Sequence, residues 1–319
     1  MKRNAIATKL VLVSPHINRD QRKQEKKEKV GHIIGLVIIY AFLVVAAILA
    51  VFPFYYMIAA SMMSRADIDS GKLFVNVATM IDNIAYNYSN TFVRLDYFHH
   101  VGITLAVAIT TTILQLLTTI LAAFAFARLT FRGRDILFIL FLATMMVPGE
   151  LLAITNFSTL SNMGLTGLDQ NFGQAFLAMV MPLISSSFYI YLLRQNFKQI
   201  PDQLYLAAKA DGKSDWGFLW KVMVPLSSPT IITITILSLI GTWNNYVWPS
   251  LVVENLDNAL ISVIIRKGAL TELGIDGLPI IQYGWQMAAS VLTVVPLLIL
   301  FIIFRKYIMS GTGKAGIKG

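Results

Sequence analysis

The sequence contains no cysteine and few charged residues. With no cysteine among 319 residues, a disulfide framework, an iron–sulfur cluster and a thiolate metal site are all excluded. Charged residues make up only 13% of the chain, whereas soluble domains usually carry about 25%. Because 56% of the residues are hydrophobic, this shortage of charge indicates a chain that shares its apolar surface with lipid.

Common enzyme motifs are also missing. The sequence has neither the H-E-x-x-H pattern of zinc peptidases nor the G-x-S-x-G pattern of serine hydrolases. His99 and His100 are adjacent, so on a helix they would diverge and make poor metal ligands. Gly313 and Lys314 resemble the end of a phosphate-binding loop, but the other positions of that motif do not match. We therefore expect no catalytic residue, metal site or cofactor in this chain.

Long apolar stretches dominate what is present. Crossing a bilayer as a helix takes about 20 apolar residues. Stretches of this kind cover residues 35–62, 102–127, 136–155, 173–193, 231–252 and 285–304. Their apolar residues are continuous rather than alternating, which favours helices over a transmembrane β-barrel. The predicted fold class is therefore an all-α membrane protein with six transmembrane helices.

Lysine and arginine are concentrated in alternate connecting segments. If the N-terminus lies in the cytoplasm, 21 of the 26 lysines and arginines fall on the cytoplasmic side, in agreement with the positive-inside rule. We predict a cytoplasmic basic tail at residues 1–32, a transmembrane domain at 33–310 and a second cytoplasmic tail at 311–319. The net charge of +9 thus reflects topology and contact with lipid rather than nucleic-acid binding.

Ionisable residues are almost missing from the predicted spans. Glu150 is the exception, near the outer end of the third span. Carriers driven by protons or sodium ions generally need buried carboxylates or histidines near the membrane midplane. An ion-coupled secondary carrier is therefore disfavoured, but it and a polytopic membrane enzyme remain as alternatives. Two long outer loops, at residues 63–101 and 253–284, either dock an outside partner or simply cover the helices.

A polar segment at residues 197–229 interrupts the apolar chain on the cytoplasmic side. Pro201 followed by Asp202 is typical of a helix start, and Gly212 can end that helix in the left-handed conformation. Ser214 can then cap a second helix, which we expect to stop near Pro225.

The first of these helices carries small side chains. Leu204, Ala207 and Ala208 are predicted to share one face, where the alanines would allow close approach of a partner. The alternative is an interfacial linker whose aromatic residues anchor at the lipid headgroups.

The segment at residues 197–229 resembles the cytoplasmic EAA loop of binding-protein-dependent ABC importer permeases. The family pattern is roughly E-A-A-x-x-D-G followed later by P-L-x-x-P. The matching residues are Ala207, Ala208, Asp211, Gly212, Pro225, Leu226 and Pro229. In that family the loop forms a coupling helix in a groove of the ATP-hydrolysing subunit, and we therefore call residues 197–229 the coupling segment. The resemblance implies that an ATPase subunit is contacted by Leu206, Ala207, Ala208, Asp211, Gly212 and Pro225.

Two positions depart from the family pattern. Leu206 stands where the family has glutamate, and Lys213 stands where alanine is usual. The acidic contact of the family therefore cannot be carried over, and an apolar contact at Leu206 would replace it.

Further stretches resemble the carbohydrate-uptake, or maltose-type, branch of the same family. They cover residues 121–138, 145–154, 162–167 and 241–253, together with the glycine-rich C-terminus. By this resemblance, the C-terminal tail reaches the ATPase interface through Gly313, Lys314 and Lys318. Trp243, Asn244 and Asn245 are candidates for the translocation pathway, because amides and aromatic faces suit hydroxyl-rich ligands. Helix packing is the alternative use of these residues.

The resemblance implies a type I importer permease in the cell membrane of a prokaryote, with both termini in the cytoplasm. The expected partners are a second homologous permease, two ATPase subunits, an extracytoplasmic solute-binding protein and membrane lipid. ATP and Mg²⁺ would belong to the ATPase subunits. The expected cargo is a sugar or oligosaccharide, and glycerol phosphate or another polyol derivative is the alternative.

Overall fold

The computed structural model describes residues 15–167, 169–267, 270–273 and 278–312. These residues are mainly helical, with one short antiparallel β-ribbon. The chain divides into two units, Met1–Met57 and Ile58–Gly319, which are described separately.

The described residues of the first unit form the greater part of one helix, α1, which spans Pro15–Ser61. Its stretch Val30–Ser61 is long and apolar enough to cross a membrane, and its large hydrophobic side chains are exposed. A helix that is apolar on all sides is suited to lipid rather than water. The predicted span at residues 35–62 is thus a helix, and it begins earlier because the preceding glutamine, glutamate and lysine residues favour helix.

The second unit contains the remaining elements. The helices are α2 (Arg65–Asp69), α3 (Met80–Arg94), α4 (Tyr97–Arg128), α5 (Arg134–Ala143), α6 (Gly149–Asn162), α7 (Phe172–Val180), α8 (Ser187–Gln199), α9 (Asp202–Ala210), α10 (Asp215–Phe218), α11 (Val224–Leu226), α12 (Ser228–Trp243), α13 (Val247–Val252), α14 (Ile261–Arg266) and α15 (Tyr283–Thr312). Short 3₁₀ turns lie at Thr144–Met146, Met181–Leu183 and Leu256–Asn258, and a π-helical turn lies at Leu219–Met223. The ribbon pairs β1 (Thr271–Leu273) with β2 (Pro279–Ile281).

The apolar segments fall into unbroken and broken helices. Among the described residues, three helices could cross a membrane unbroken: Val30–Ser61, Tyr97–Arg128 and Tyr283–Lys306. Three further pairs are bent, by 98° between Arg134–Met146 and Gly149–Asn162, by 48° between Phe172–Leu183 and Ser187–Gln199, and by 79° between Asp215–Leu226 and Ser228–Trp243. By length and composition, the structure therefore has three possible spans, or up to six if each bent pair is one span.

The apolar segments predicted at residues 136–155, 173–193 and 231–252 are helical, but each helix is interrupted. The first is interrupted before Pro148 and the second around Pro182, because proline lacks the backbone N–H that a helix interior needs. The third ends at Trp243 and resumes at Val247.

Helix α4 is central to the second unit and packs mainly on α8 and α12. Two hydrophobic clusters result. One includes Trp243, Trp248 and Trp285, and the other joins α4 and α8 to the coupling segment through residues such as Phe197 and Phe218.

The predicted outer loop at residues 63–101 is folded. The Nδ2 atom of the buried Asn87 donates to the carbonyl oxygens of Ser61 and Met63, both at 3.0 Å. Gly284 of α15 packs so closely on Asn87 that a Cβ atom there would lie 2.8 Å from the amide. The segment at residues 63–101 therefore packs against the start of α15 through Asn87.

Candidate functional site

The coupling segment is two short helices joined at Gly212, as the sequence predicted. Helix α9 ends before Gly212, whose φ of +74° is the left-handed conformation. The Oγ atom of Ser214 accepts a hydrogen bond from the Gly217 amide at 3.1 Å and so caps the second helix.

One detail of the coupling segment differs from the prediction. Pro201 is the N-cap of α9 rather than its first helical residue. The second helix ends at Leu226, next to Pro225, as predicted. A π-helical turn at Leu219–Met223 precedes α11, which contains Pro225. Pro225 fits there because the missing N–H of a proline costs little at the start of a helical segment.

A polar contact joins the two helices of the coupling segment. The hydroxyl of Tyr205 donates to Oδ1 of Asp215 at 2.6 Å, and Nζ of Lys209 lies 2.9 Å from the same oxygen. The hydrogen bond from Tyr205, followed by that from Lys209, holds the pKa of the Asp215 carboxyl below its usual value. The bond to Asp215 likewise raises the pKa of Tyr205 and that of Lys209. Because both charges are partly exposed, we regard the contact as orienting the helices rather than as a large source of stability.

The back of the coupling segment is buried within this chain. Ala208 is 6% exposed, and Phe218, Leu219 and Met223 are buried in the same hydrophobic cluster as Phe197 of α8. The predicted grouping of Ala208 with Leu204 and Ala207 on one open face is therefore wrong. Leu204 and Ala208 lie one turn apart on α9, but Ala208 belongs to the hydrophobic cluster that contains Phe197 and Phe218, whereas Leu204 stays exposed.

The front of the coupling segment is open. Leu206 is 65% exposed, and Ala207, Asp211 and Gly212 are exposed beside it. We call these four residues the coupling surface. Pro225, also assigned to the interface from sequence, is exposed but belongs to the end of the second helix.

A buried arginine fixes the start of α9. Nη1 of Arg128 pairs with the Asp202 carboxylate, and Nη2 donates to the carbonyl oxygens of Phe197, at 2.8 Å, and of Ile200. The Arg128 side chain is only 5% exposed. The C-terminal end of α4 is thus bound directly to the link between α8 and α9.

A second arginine connects α8 to α4 and α5. Nε of Arg194 donates to the Phe126 carbonyl oxygen at 3.1 Å, and its guanidinium carbon lies 3.6 Å from the Phe138 ring centroid. In the sequence, both arginines contribute only to the concentration of positive charge on the cytoplasmic side. Their positions at predicted helix ends give no indication that the side chains are buried.

Side chains of α4 donate hydrogen bonds to the backbone carbonyl groups at the break between α7 and α8, and a side chain of α12 supports one of these donors. Nε2 of Gln115 donates to the Leu183 carbonyl oxygen at 2.9 Å, and Oγ1 of Thr118 donates to that of Ile184 at 2.6 Å. The Ser238 hydroxyl donates to Oε1 of Gln115 at 2.6 Å. Inside a membrane protein, carbonyl groups released by a helix break need such partners.

A cavity lies where irregular backbone from three predicted spans meets. Its volume is about 340 Å³, which is near the lower end of the range for small-molecule sites. It is lined by Gly149, Glu150, Leu152, Ala153, Asn156, Pro182, Leu183, Asn245, Val247 and Trp248. Non-helical backbone in membrane proteins is typically found where it lines a cavity or a binding site.

Of the three predicted pathway residues, the structure brings only Asn245 to this cavity. Trp243 is 4% exposed and donates through Nε1 to the Thr293 carbonyl oxygen at 3.2 Å, so it packs between helices. Asn244 is exposed, and its Nδ2 donates to the Ile240 carbonyl oxygen at 3.0 Å. The sequence singled out Glu150 as the unusual charge of the spans but did not place it in a site.

The remaining residues assigned from sequence are Gly313, Lys314 and Lys318 of the C-terminal tail, which lie outside the described residues.

His99 and His100 are each hydrogen-bonded to a backbone carbonyl oxygen, of Asp257 and Ala259 respectively, at 2.8 Å. These contacts join α4 to the segment before α14.

Comparison with known proteins supplies the context for this geometry. Residues 115–313 match the model of a family described as binding-protein-dependent transport system inner membrane component. The matched region includes the coupling segment, the cavity and Arg128.

Two curated proteins illustrate the similarity along the whole chain. The arabinooligosaccharides transport system permease protein AraQ of Halalkalibacterium halodurans is 28% identical over 296 residues, which are 92% of this chain and 100% of that protein. The sn-glycerol-3-phosphate transport system permease protein UgpE of Yersinia pestis is 25% identical over 282 residues, which are 84% and 92% of the two chains.

A solved structure shares the fold. It belongs to a bacterial ABC transporter involved in the import of the acidic polysaccharide alginate, and it superposes with a TM-score of 0.69 at 23% identity. The superposition covers 88% of this chain and 97% of the other.

Proposed function

Because this chain belongs to the family of inner-membrane components of binding-protein-dependent transport systems, we propose that it is the permease subunit through which an ABC importer couples ATP hydrolysis to solute uptake. The coupling surface is the observation that carries this proposal. It is open to a partner in front, and behind it the same helix is packed on α4 and α8. A partner that moves α9 therefore also moves the membrane helices.

The transmission route begins at Asp202. Closure of an ATPase dimer would displace α9, and Arg128 would pass that displacement to the end of α4 because it contacts both elements. The hydrogen bonds of Gln115 then connect α4 to the broken helix that borders the cavity. Such a shift of state requires the ATP-bound partner to contact the coupling surface differently from the ATP-free partner.

The proposed assembly has this chain beside a second homologous permease in the cell membrane of a prokaryote. Two ATPase subunits hold ATP and Mg²⁺ and carry out hydrolysis, and an extracytoplasmic solute-binding protein delivers the cargo. Both termini lie in the cytoplasm, in keeping with the distribution of lysine and arginine. We place six spans in the lipid, at the six apolar stretches of the sequence, with the coupling segment on the cytoplasmic side.

The proposed cargo is a sugar or oligosaccharide. In support, a full-length relative is named for arabinooligosaccharides, and Asn156, Asn245 and Trp248 are among the residues that line the cavity. Amide groups and an aromatic side chain suit hydroxyl-rich ligands. Glycerol phosphate remains the second candidate cargo, because another relative is named for it.

The test is uptake by the assembled complex in proteoliposomes. The chain would be purified with its partner subunits, and uptake of radiolabelled arabinotriose and sn-glycerol-3-phosphate would be measured with and without internal ATP. We expect ATP-dependent uptake that a proton ionophore leaves unchanged. Uptake driven by an ion gradient without ATP would instead support a secondary carrier and overturn the proposal.

A further inference from the structure

The described lining of the cavity between the broken helices has an acidic side chain and no basic one. Among the described residues that line it, Glu150 alone has an ionisable side chain, and the others are apolar or carry amides. A glutamate is negatively charged at neutral pH. Any solute in this cavity therefore meets a negative potential that no lysine or arginine of the described lining offsets.

Local structure explains why a carboxylate can remain at this position. Glu150 lies in the first turn of α6, where the helix dipole favours a negative side chain. The residue is exposed rather than buried, so the charge does not bear the full cost of removal from water. Glu150 also has no ion pair among those that the described residues make.

We propose, on the basis of the transport function above, that this cavity is a cargo subsite for uncharged, hydroxyl-rich sugars and that Glu150 discriminates against anionic ones. An ionised carboxylate only accepts hydrogen bonds, so it pairs with sugar hydroxyls and not with a carboxylate or phosphate. Asn156 and Asn245 both donate and accept, and they complete a polar lining suited to hydroxyl groups.

The negative potential of the cavity favours neutral sugars over anionic cargo such as glycerol phosphate, and the comparisons left both classes open. A uronate or phosphate group in this cavity would approach a like charge. Across several ångströms at the effective dielectric of a protein surface, repulsion between two like charges weakens occupancy about tenfold. Neutral sugars do not meet this repulsion and gain a charge-assisted hydrogen bond instead.

The absence of cysteine from this chain allows a direct measurement of the potential. Asn245→Cys introduces a single thiol at the cavity. In the purified complex, its rates of reaction with a cationic trimethylammonium methanethiosulfonate and an anionic sulfonate methanethiosulfonate would be followed by mass spectrometry of this chain. The ratio of the two rates reports the local charge.

Two further variants provide the comparison. In the Asn245→Cys background, Glu150→Gln should lower the ratio of cationic to anionic rates by about threefold to tenfold. Glu254→Gln removes an exposed carboxylate that is not among the lining residues, and it should leave the ratio unchanged. An equal ratio in all three proteins, or a thiol that neither reagent reaches, would overturn the assignment.

A protection experiment addresses the cargo class. Arabinotriose should slow labelling of the Asn245→Cys thiol during ATP-driven turnover, and trigalacturonate should not. Protection by both sugars to the same extent, or by neither, would contradict the inference. Failure of this inference and failure of the proposed function are distinguishable, because a complex without ATP-dependent uptake refutes that function, whereas the ratio of labelling rates still reports the charge of the cavity.

Discussion

Two adjacent alanines offer a sharp test of the coupling surface. Ala207 and Ala208 both match the sequence motif, but the structure gives them opposite environments. Ala207 is exposed at the front of α9, whereas Ala208 is 6% exposed and belongs to the hydrophobic cluster that includes Phe218 of the second helix. The same substitution, alanine to leucine, should therefore weaken association with the ATPase subunit at position 207 and lower the stability of the chain at position 208.

Ala207→Leu adds three carbon atoms where a partner backbone is expected to approach. The chain itself has room for them, so its free energy of unfolding should change by less than about 0.5 kcal/mol. Association with the ATPase subunit should weaken by at least about tenfold, which corresponds to about 1.4 kcal/mol.

Ala208→Leu should destabilise the chain itself by about 1–3 kcal/mol, as is usual when methylene groups are added to a packed core. The assays are thermal unfolding of the purified chain in detergent and co-purification of the ATPase subunit. Normal co-purification with Ala207→Leu, or unchanged unfolding with Ala208→Leu, would refute the assigned orientation of α9.

Three further predictions concern the turn at Gly212 and the elements behind the coupling surface. Gly212→Ala should cost about 1–2 kcal/mol from left-handed strain alone, because no atom lies within 4 Å of the new Cβ, and Gly212→Asn, measured by the same thermal unfolding, should cost less. Arg128→Met should abolish ATP-driven uptake and lower thermal stability because two carbonyl groups lose their donor, whereas the exposed Arg132→Met should change neither. Gln115→Leu should cost about 1 kcal/mol by removing the hydrogen bond to the part-buried Leu183 carbonyl oxygen, and uptake should slow even if the ATPase still binds. Unchanged uptake would remove this contact from the transmission route.

The sequence was sufficient for the elements whose signals are local. The turn at Gly212 and the cap at Ser214 depend on the backbone preferences of single residues, so both were predicted and both are confirmed. The apolar segments were also found, because hydrophobic length is a one-dimensional property.

What could not be predicted depends on contacts between distant residues. Helix rotation decided that Ala208 is buried and Ala207 exposed, and no alternation of polar and apolar residues marks this difference. The burial of Arg128 depends on carbonyl groups about seventy residues away. The cavity depends on breaks in three helices, so that Glu150 and Asn245 meet only in the folded chain.

Leucine at position 206 has a physical consequence for the partner. The family motif has glutamate there, and an exposed ion pair contributes only about 0–1 kcal/mol and weakens with salt. Leu206 is 65% exposed in the free chain, and full burial of a leucine side chain contributes about 1.5–3 kcal/mol. An interface that covers Leu206 can therefore be as strong as the acidic one, provided that the facing groove is apolar. Its strength should depend little on ionic strength, because what stabilises it is removal of apolar surface from water rather than attraction between charges.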